Sequence, residues 1–225
     1  NALKQLCRCN EAEVRYRRAF ELKSNYAGAH NNLGVILMEL GRLSEAEAAH
    51  RRALELEPDF AEAHGNLGGT LLKLGRLHEA EASYRRALVL RPCYIEAHFN
   101  LGIALSDQGR YPEAEVSYRR ALEFKPDYIE ALNNLGNTLK DLGRLAEAEA
   151  SYRRALEIKP DYAEAHSNLG NVLHEQGRLA EAEASYRRAL DLKPDYAEAH
   201  SNIGNVLHEQ GRLTEADACY LRALE

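Results

Sequence analysis

Asparagines recur at a fixed spacing in this chain, and they are the side chains best suited to bind a ligand. An asparagine stands at position 6 of a 34-residue unit in six consecutive units: Asn32, Asn66, Asn100, Asn134, Asn168 and Asn202. The last three units add an asparagine at position 9: Asn137, Asn171 and Asn205. Because asparagine is a mediocre helix former, helix propensity does not explain this recurrence.

Two interpretations of the amides are open. A side-chain amide has both a donor and an acceptor, so a row of amides can pair with the C=O and N–H groups of an extended peptide. Alternatively, each asparagine bonds the neighbouring unit and fixes the pitch of the array. We predict contact with a peptide, and both interpretations can hold together.

The residues around the amides differ along the chain. Positions 5 and 9 of the third unit are Phe99 and Ile103, which predict an apolar pocket, although a merely apolar surface is the alternative. Position 12 becomes polar in the later units, where it holds Lys140, His174 and His208. We include these five residues with the asparagines as candidate peptide-binding residues. The two histidines would gain charge near pH 6.5.

No catalytic pattern is present elsewhere in the sequence. We find no nucleophile elbow, phosphate loop, zinc motif or convergent carboxylate pair, so we predict that this segment is not an enzyme and uses no cofactor. Histidines recur at position 4 in five of the six units, which predicts a packing role and no metal site: His30, His64, His98, His166 and His200.

Charge and cysteine content bound the class of partner and the compartment. The net charge of −6 disfavours nucleic acid and anionic membrane surfaces, which select basic proteins. No apolar run is long enough to span a bilayer, and the N-terminus has no apolar signal region. The four cysteines follow no disulfide framework. We therefore predict free thiols and a cytoplasmic location.

The spacing of apolar residues predicts two helices per unit. Ala165, Leu169 and Leu173 mark one face of a first helix, which a glycine such as Gly177 ends. A second helix stops before a proline such as Pro194. The predicted boundaries are a partial repeat at 1–26, full repeats at 27–60, 61–94, 95–128, 129–162 and 163–196, and a truncated repeat at 197–225.

Two further features of the units predict how the two helices pack and which face of the second helix meets solvent. A glycine at position 8, such as Gly170, is expected to face the alanine at position 20, here Ala182, so that the two backbones approach closely. The recurring pairs of glutamate and arginine on the second helix, such as Glu149 and Arg153, are expected to form a solvated outer face.

Together these residues resemble the tetratricopeptide repeat, whose motif is matched by Leu169-Gly170, Ala182, Tyr186, Ala189 and Pro194. The resemblance covers the whole chain. It implies an all-α fold, a right-handed superhelical solenoid of antiparallel helix pairs, in one domain over 1–225. First helices would line a concave groove, and second helices would form the convex back.

The resemblance also implies a function, which is a protein-interaction scaffold that binds an extended peptide or a partner helix in the concave groove. The position-6 asparagines are similar to those of the O-linked N-acetylglucosamine transferases, whose repeats recruit protein substrates. One alternative is therefore a substrate-recruiting segment of a larger glycosyltransferase. A second is end-to-end self-association through apolar residues of the last helix, namely Leu213, Tyr220 and Leu224.

A clamp for a C-terminal carboxylate, which many chaperone-binding relatives have, is not expected here. Position 2 carries acids that would repel a carboxylate: Glu62, Glu96, Glu130, Glu164 and Glu198.

Overall fold

A computed structural model describes residues 26–224 of the chain, and these residues form twelve helices and no strand. The predicted all-α fold is confirmed for this part of the protein. The predicted partial repeat at 1–26, which contains Cys7 and Cys9, lies outside the described residues apart from Tyr26. The chain divides into two compact parts, which from here on we call the first unit, Asn1–Arg110, and the second unit, Tyr111–Glu225. The 34-residue units of the sequence are from here on called repeats.

The first unit contains five described helices, and each packs against the next one in the chain. They are α1 (Ala27–Glu39), α2 (Leu43–Leu56), α3 (Ala61–Lys73), α4 (Leu77–Leu90) and α5 (Ile95–Asp107). The first helices of its repeats, α1, α3 and α5, also touch one another in that order.

The second unit contains seven described helices with the same alternation. They are α6 (Tyr111–Phe124), α7 (Ile129–Asp141), α8 (Leu145–Ile158), α9 (Ala163–Glu175), α10 (Leu179–Leu192), α11 (Ala197–Glu209) and α12 (Leu213–Ala223). The first helices α7, α9 and α11 lie side by side. Between residues 26 and 224, no helix is both long and apolar enough to cross a membrane.

The glycine at position 15 ends each first helix, as its place in the sequence predicts. Gly177 has a backbone φ of 75°, which residues with a Cβ atom rarely adopt. Its N–H donates to the carbonyl of His174, and the N–H of Arg178 donates to the carbonyl of Leu173 at 2.9 Å. These bonds satisfy carbonyls that the helix end would otherwise leave without donors.

The mid-helix glycine at position 8 makes room for the ring of the residue at position 24. A Cβ built on Gly170 would lie 2.6 Å from a ring carbon of Tyr186, which is closer than any real contact. Tyr186 is 1% exposed. The ring at position 24 is thus the nearest neighbour of Gly170, and the close approach of Ala182 stays a prediction.

An ion pair links each described repeat to the next, and the sequence pattern did not reveal it. The guanidinium of Arg178 donates to the Glu149 carboxylate of the preceding repeat at 2.7 Å. Equivalent pairs are Arg76–Glu47, Arg110–Glu81, Arg144–Glu115 and Arg212–Glu183. Burial raises the pKa of Glu149, but hydrogen bonds from Arg178 and Arg153 outweigh burial and hold it below its usual range.

The histidines at position 4 bond the turn that precedes their own helix. Nε2 of His166 donates to the carbonyl of Pro160 at 3.0 Å, and His64, His98 and His200 bond prolines in the same way. Where Leu132 replaces the histidine, Arg154 donates to the corresponding carbonyl of Pro126 at 3.2 Å. The predicted packing role thus includes a hydrogen bond that holds consecutive repeats together.

Candidate functional site

Six asparagines of the second unit lie on adjacent first helices. We call this set the amide surface: Asn134 and Asn137 on α7, Asn168 and Asn171 on α9, and Asn202 and Asn205 on α11. All are half-buried except Asn205, which is exposed. Each helix carries one asparagine at position 6 and one at position 9. The two share a face of the helix because these positions are almost one turn apart.

The position-9 amides accept hydrogen bonds from tyrosines of the second helices. The Tyr152 hydroxyl donates to Oδ1 of Asn137 at 2.6 Å, and Tyr186 donates to Asn171 at 2.7 Å. Tyr220 donates to Asn205 in the same way. Burial raises the pKa of the Tyr152 and Tyr186 hydroxyls well above the usual range, so they remain protonated donors.

The position-6 amides donate to the preceding repeat. Nδ2 of Asn168 donates to Oδ1 of Asn133 at 3.1 Å, and Asn133 is buried. Nδ2 of Asn202 donates to Oδ1 of Asn171 at 2.9 Å. Each of these two amides therefore has one N–H fixed, and its own carbonyl oxygen and second N–H remain for other partners.

Asn171 is the centre of this network. Its Oδ1 accepts from both Tyr186 and Asn202, which occupies the two lone pairs of a carbonyl oxygen. Its NH₂ group forms no bond among residues 26–224 and is not buried. The amide is thus held at one end and presents two donors at the other.

The polar residues at position 12 stand one turn beyond the position-9 amides. Lys140 and His174 are half-buried, and His208 is exposed. Nε2 of His174 lies 2.8 Å from the carboxylate of Glu209, which joins α9 to α11. These side chains add cationic or neutral donors beside the amides.

In the first unit, the candidate residues are arranged differently. Asn66 donates to Oδ1 of the buried Asn31 at 3.0 Å, whereas Asn32 is exposed and Asn100 is half-buried. Position 9 of α3 is Gly69, so no amide meets the tyrosine of that repeat. The Tyr84 hydroxyl is accordingly buried without a hydrogen-bond partner.

The apolar candidates Phe99 and Ile103 are half-buried on α5. Four cavities of about 440–470 Å³ lie elsewhere, each between consecutive second helices and over a floor of apolar first-helix residues. Neither Phe99 nor Ile103 lines these four cavities. The apolar pocket around them stays a prediction.

The bonds between amides favour the structural interpretation without removing the other one. Asn66, Asn168 and Asn202 bond the neighbouring repeat, as that interpretation requires. Sequence reasoning missed Asn133 as a partner and the tyrosine hydroxyls as donors. The only available signal was the joint presence of asparagine at position 9 and tyrosine at position 24.

An all-helical array of 34-residue helix pairs with this motif defines a tetratricopeptide-repeat scaffold. A family model described as the Cilia and flagella-associated protein 70 C-terminal domain matches residues 2–202, and a tetratricopeptide repeat model matches residues 182–225. The chain therefore belongs to the family of tetratricopeptide-repeat domains that the first model describes. A search of the curated proteins found no match.

Solved structures with this fold include several repeat proteins. YrrB, a tetratricopeptide-repeat protein with an unusual peptide-binding site, has a TM-score of 0.71 and 24% identity over 87% of this chain and 97% of that chain. Pseudomonas aeruginosa PilF has a TM-score of 0.77 and 21% identity over 87% and 89%. MamA has a TM-score of 0.66 and 25% identity over 70% and 92%. Scaffolds of this class generally bind other proteins.

Proposed function

We propose that the protein is an interaction scaffold that binds an extended peptide on the amide surface of its second unit. The observation that carries the proposal is the state of Asn171, whose carbonyl is satisfied by Tyr186 and Asn202 while its NH₂ group is left to donate. Peptide carbonyls are the natural acceptors for a row of such donors.

The amides are already oriented before a peptide arrives, which favours binding. The bonds from Tyr152 and Tyr186 hold the position-9 amides, and Asn133 holds Asn168. An ordered side chain loses less entropy on binding than a free one, where the loss is about 0.5–1.5 kcal/mol per side chain. The hydrogen bonds between repeats therefore support peptide binding and do not compete with it.

The geometry sets the length of the peptide. Packed helices lie about 8–10 Å apart, and an extended chain advances about 3.3 Å per residue, so each first helix would meet about three residues. A peptide that crosses α7, α9 and α11 would have about nine residues.

Exposed Cys93 is a free thiol, which suits the reducing cytoplasm that we propose as the location.

A neutral nine-residue peptide, three copies of Gln-Gln-Thr with blocked ends and a fluorescein label, tests the proposal by fluorescence anisotropy. Replacing Asn134, Asn168 and Asn202 together by alanine should weaken binding at least about tenfold while the helical circular dichroism persists. A control triple variant takes alanine at serines of the second helices: Ser117, Ser151 and Ser185. Equal affinities for the two triple variants and the parent protein would refute the proposal.

Self-association is a second candidate function, which the surface of α12 favours. Leu213, Leu221 and Leu224 are 54%, 65% and 85% exposed. Leu221 occupies position 25, where every other described repeat has an arginine. Leu213 and Leu221 on α12, with Leu224 just beyond its end, thus expose apolar surface of the kind that another protein surface covers. Sedimentation across a concentration series tests whether a second copy does so.

A further inference from the structure

The amide surface is bordered by carboxylates on both sides. Along α9, Glu164, Asn168, Asn171 and Glu175 occupy positions 2, 6, 9 and 13, a spacing that places all four on one stripe of the helix. The same order of acid, amide, amide and acid recurs on α7 and α11. The border acids are Glu130, Glu164 and Glu198 on one side and Asp141, Glu175 and Glu209 on the other, and all six are exposed.

This pattern is complete only in the second unit. In the first unit, α1 begins with Gly28 in place of the acid, and α3 has Gly69 in place of the second amide and Lys73 in place of the second acid. On α5, Ile103 replaces the second amide. Although α5 keeps both acids, Glu96 and Asp107, two amides between two acids occur together only on α7, α9 and α11 among the described first helices.

The acids at position 2 of the second unit lack the ion pair that their counterpart has in the first unit, although Glu198 hydrogen bonds Tyr196. Glu62 of the first unit pairs with Arg91 at 2.6 Å, whereas Glu130, Glu164 and Glu198 form no ion pair with a described residue. Arg91 also lies over the Tyr94 ring, and the lysines that replace it in the later repeats keep this ring contact without the ion pair, as Lys159 does over Tyr162 at 5.0 Å.

The cations of the surface do not balance its acids. Lys140 lies 3.9 Å from Asp141, and His174 contacts Glu209. His208 is a second histidine at the same position of the repeat. Six carboxylates thus border a central track that contains one lysine and two histidines.

We propose that the peptide bound on the amide surface is basic, a lysine- and arginine-rich extended segment of a partner protein. This inference rests on the proposed function, because the amides must first hold the backbone. Successive side chains of an extended chain point to opposite sides. A backbone on the amide track would therefore send alternate side chains toward the two acidic borders, where opposite charges attract and acidic peptides are repelled.

The test uses three labelled peptides of nine residues with blocked ends. They are three copies of Lys-Lys-Thr, Gln-Gln-Thr or Glu-Glu-Thr, so that each first helix meets one variable side chain on each side. At low salt the lysine peptide should bind about tenfold more tightly than the glutamine peptide, and the glutamate peptide more weakly still. The advantage of lysine should shrink as salt screens the charges.

Protein variants show whether the border acids cause this preference. Glu130→Gln, Glu164→Gln and Glu198→Gln together should remove most of the advantage of lysine and leave the affinity for the glutamine peptide nearly unchanged. A control removes the same charge from exposed acids of α8, α10 and α12: Glu157→Gln, Asp191→Asn and Asp217→Asn. The control should retain the preference, because a general effect of the net charge of −6 would change both variants equally.

The outcomes separate the two proposals. If all three peptides bind equally and the triple alanine variant of the amides loses them all, the basic preference is overturned and the peptide-binding function stands. If the control variant loses the preference as fully as the border variant, the assignment to these acids is overturned. If no peptide binds the parent protein, both proposals are overturned.

Discussion

Replacing Gly69 by asparagine should stabilise the first unit, because it supplies an acceptor that Tyr84 lacks. The Tyr84 hydroxyl is buried without a partner, whereas Tyr152 and Tyr186 each donate to an asparagine at the position equivalent to Gly69. A Cβ added at Gly69 would meet only the Tyr84 hydroxyl oxygen, at 3.7 Å, which is ordinary contact. The new side chain therefore has room.

The expected gain has two parts. Helix propensity favours asparagine over glycine by roughly 0.3 kcal/mol. A satisfied hydrogen bond to a buried hydroxyl contributes about 1 kcal/mol, and leaving such a group unpaired costs about 1–3 kcal/mol. Gly69→Asn should thus raise the free energy of unfolding by about 1–2 kcal/mol. Urea unfolding followed by circular dichroism measures the gain, provided that the slope of the transition is unchanged.

A double-mutant cycle isolates the hydrogen bond from the propensity. In the Tyr84→Phe background, Gly69→Asn should add only the small propensity term. Gly69→Ala is the matched control, because alanine improves propensity by up to about 1 kcal/mol and offers no acceptor, so its effect should be the same in both backgrounds. An equal gain from Gly69→Asn with and without the hydroxyl would refute the reasoning.

Three further predictions concern pH, the contacts between repeats and association. Burial lowers the pKa of His50 to about 4, so protons bind the unfolded chain more tightly than the folded protein. The free energy of unfolding should therefore fall by roughly 3 kcal/mol as the pH falls from about 6.5 to 4. In urea titrations, His50→Phe should abolish this loss. The pKa of Glu149 is lower in the folded protein than in the unfolded chain, so its carboxylate stabilises the fold at pH values above the unfolded pKa. This stabilisation is lost as the pH falls through the folded pKa. Glu149→Gln should therefore lower the urea midpoint at pH 7 and have less effect at pH 3, whereas Glu157→Gln, at an exposed acid of the same helix, should change neither. Leu221→Arg should reduce any concentration-dependent sedimentation, and an unchanged profile would exclude this leucine from the contact.

The sequence predicted the helices and their ends well, because those depend on local physical signals. Gly177 takes a positive φ that few other residues adopt, and the apolar spacing of Leu169 and Leu173 marks one helical face. Such signals act within a few residues, so reading one unit suffices and repetition strengthens the result. The single domain over all repeats stays a prediction.

The partners of the amides could not be predicted, because periodicity gives the face of a helix and not its neighbours. Tyr186 lies fifteen residues beyond Asn171 on another helix, and Asn168 reaches Asn133, thirty-five residues away. The ring beside Gly170 was not predicted for a related reason. A pattern of small residues shows that two helices approach, but the nearby Tyr186 decides what fills the space.

The most direct test of peptide binding is the side-chain amide resonance of Asn171 in a ¹⁵N-labelled protein. Our account predicts that the glutamine peptide shifts the NH₂ signals of Asn171 and of its equivalents Asn137 and Asn205, since these donors would bond peptide carbonyls. Residues of the second helices, such as Ser185, should be unaffected. A peptide that binds with unchanged asparagine signals, or with shifts confined to the second helices, would contradict it.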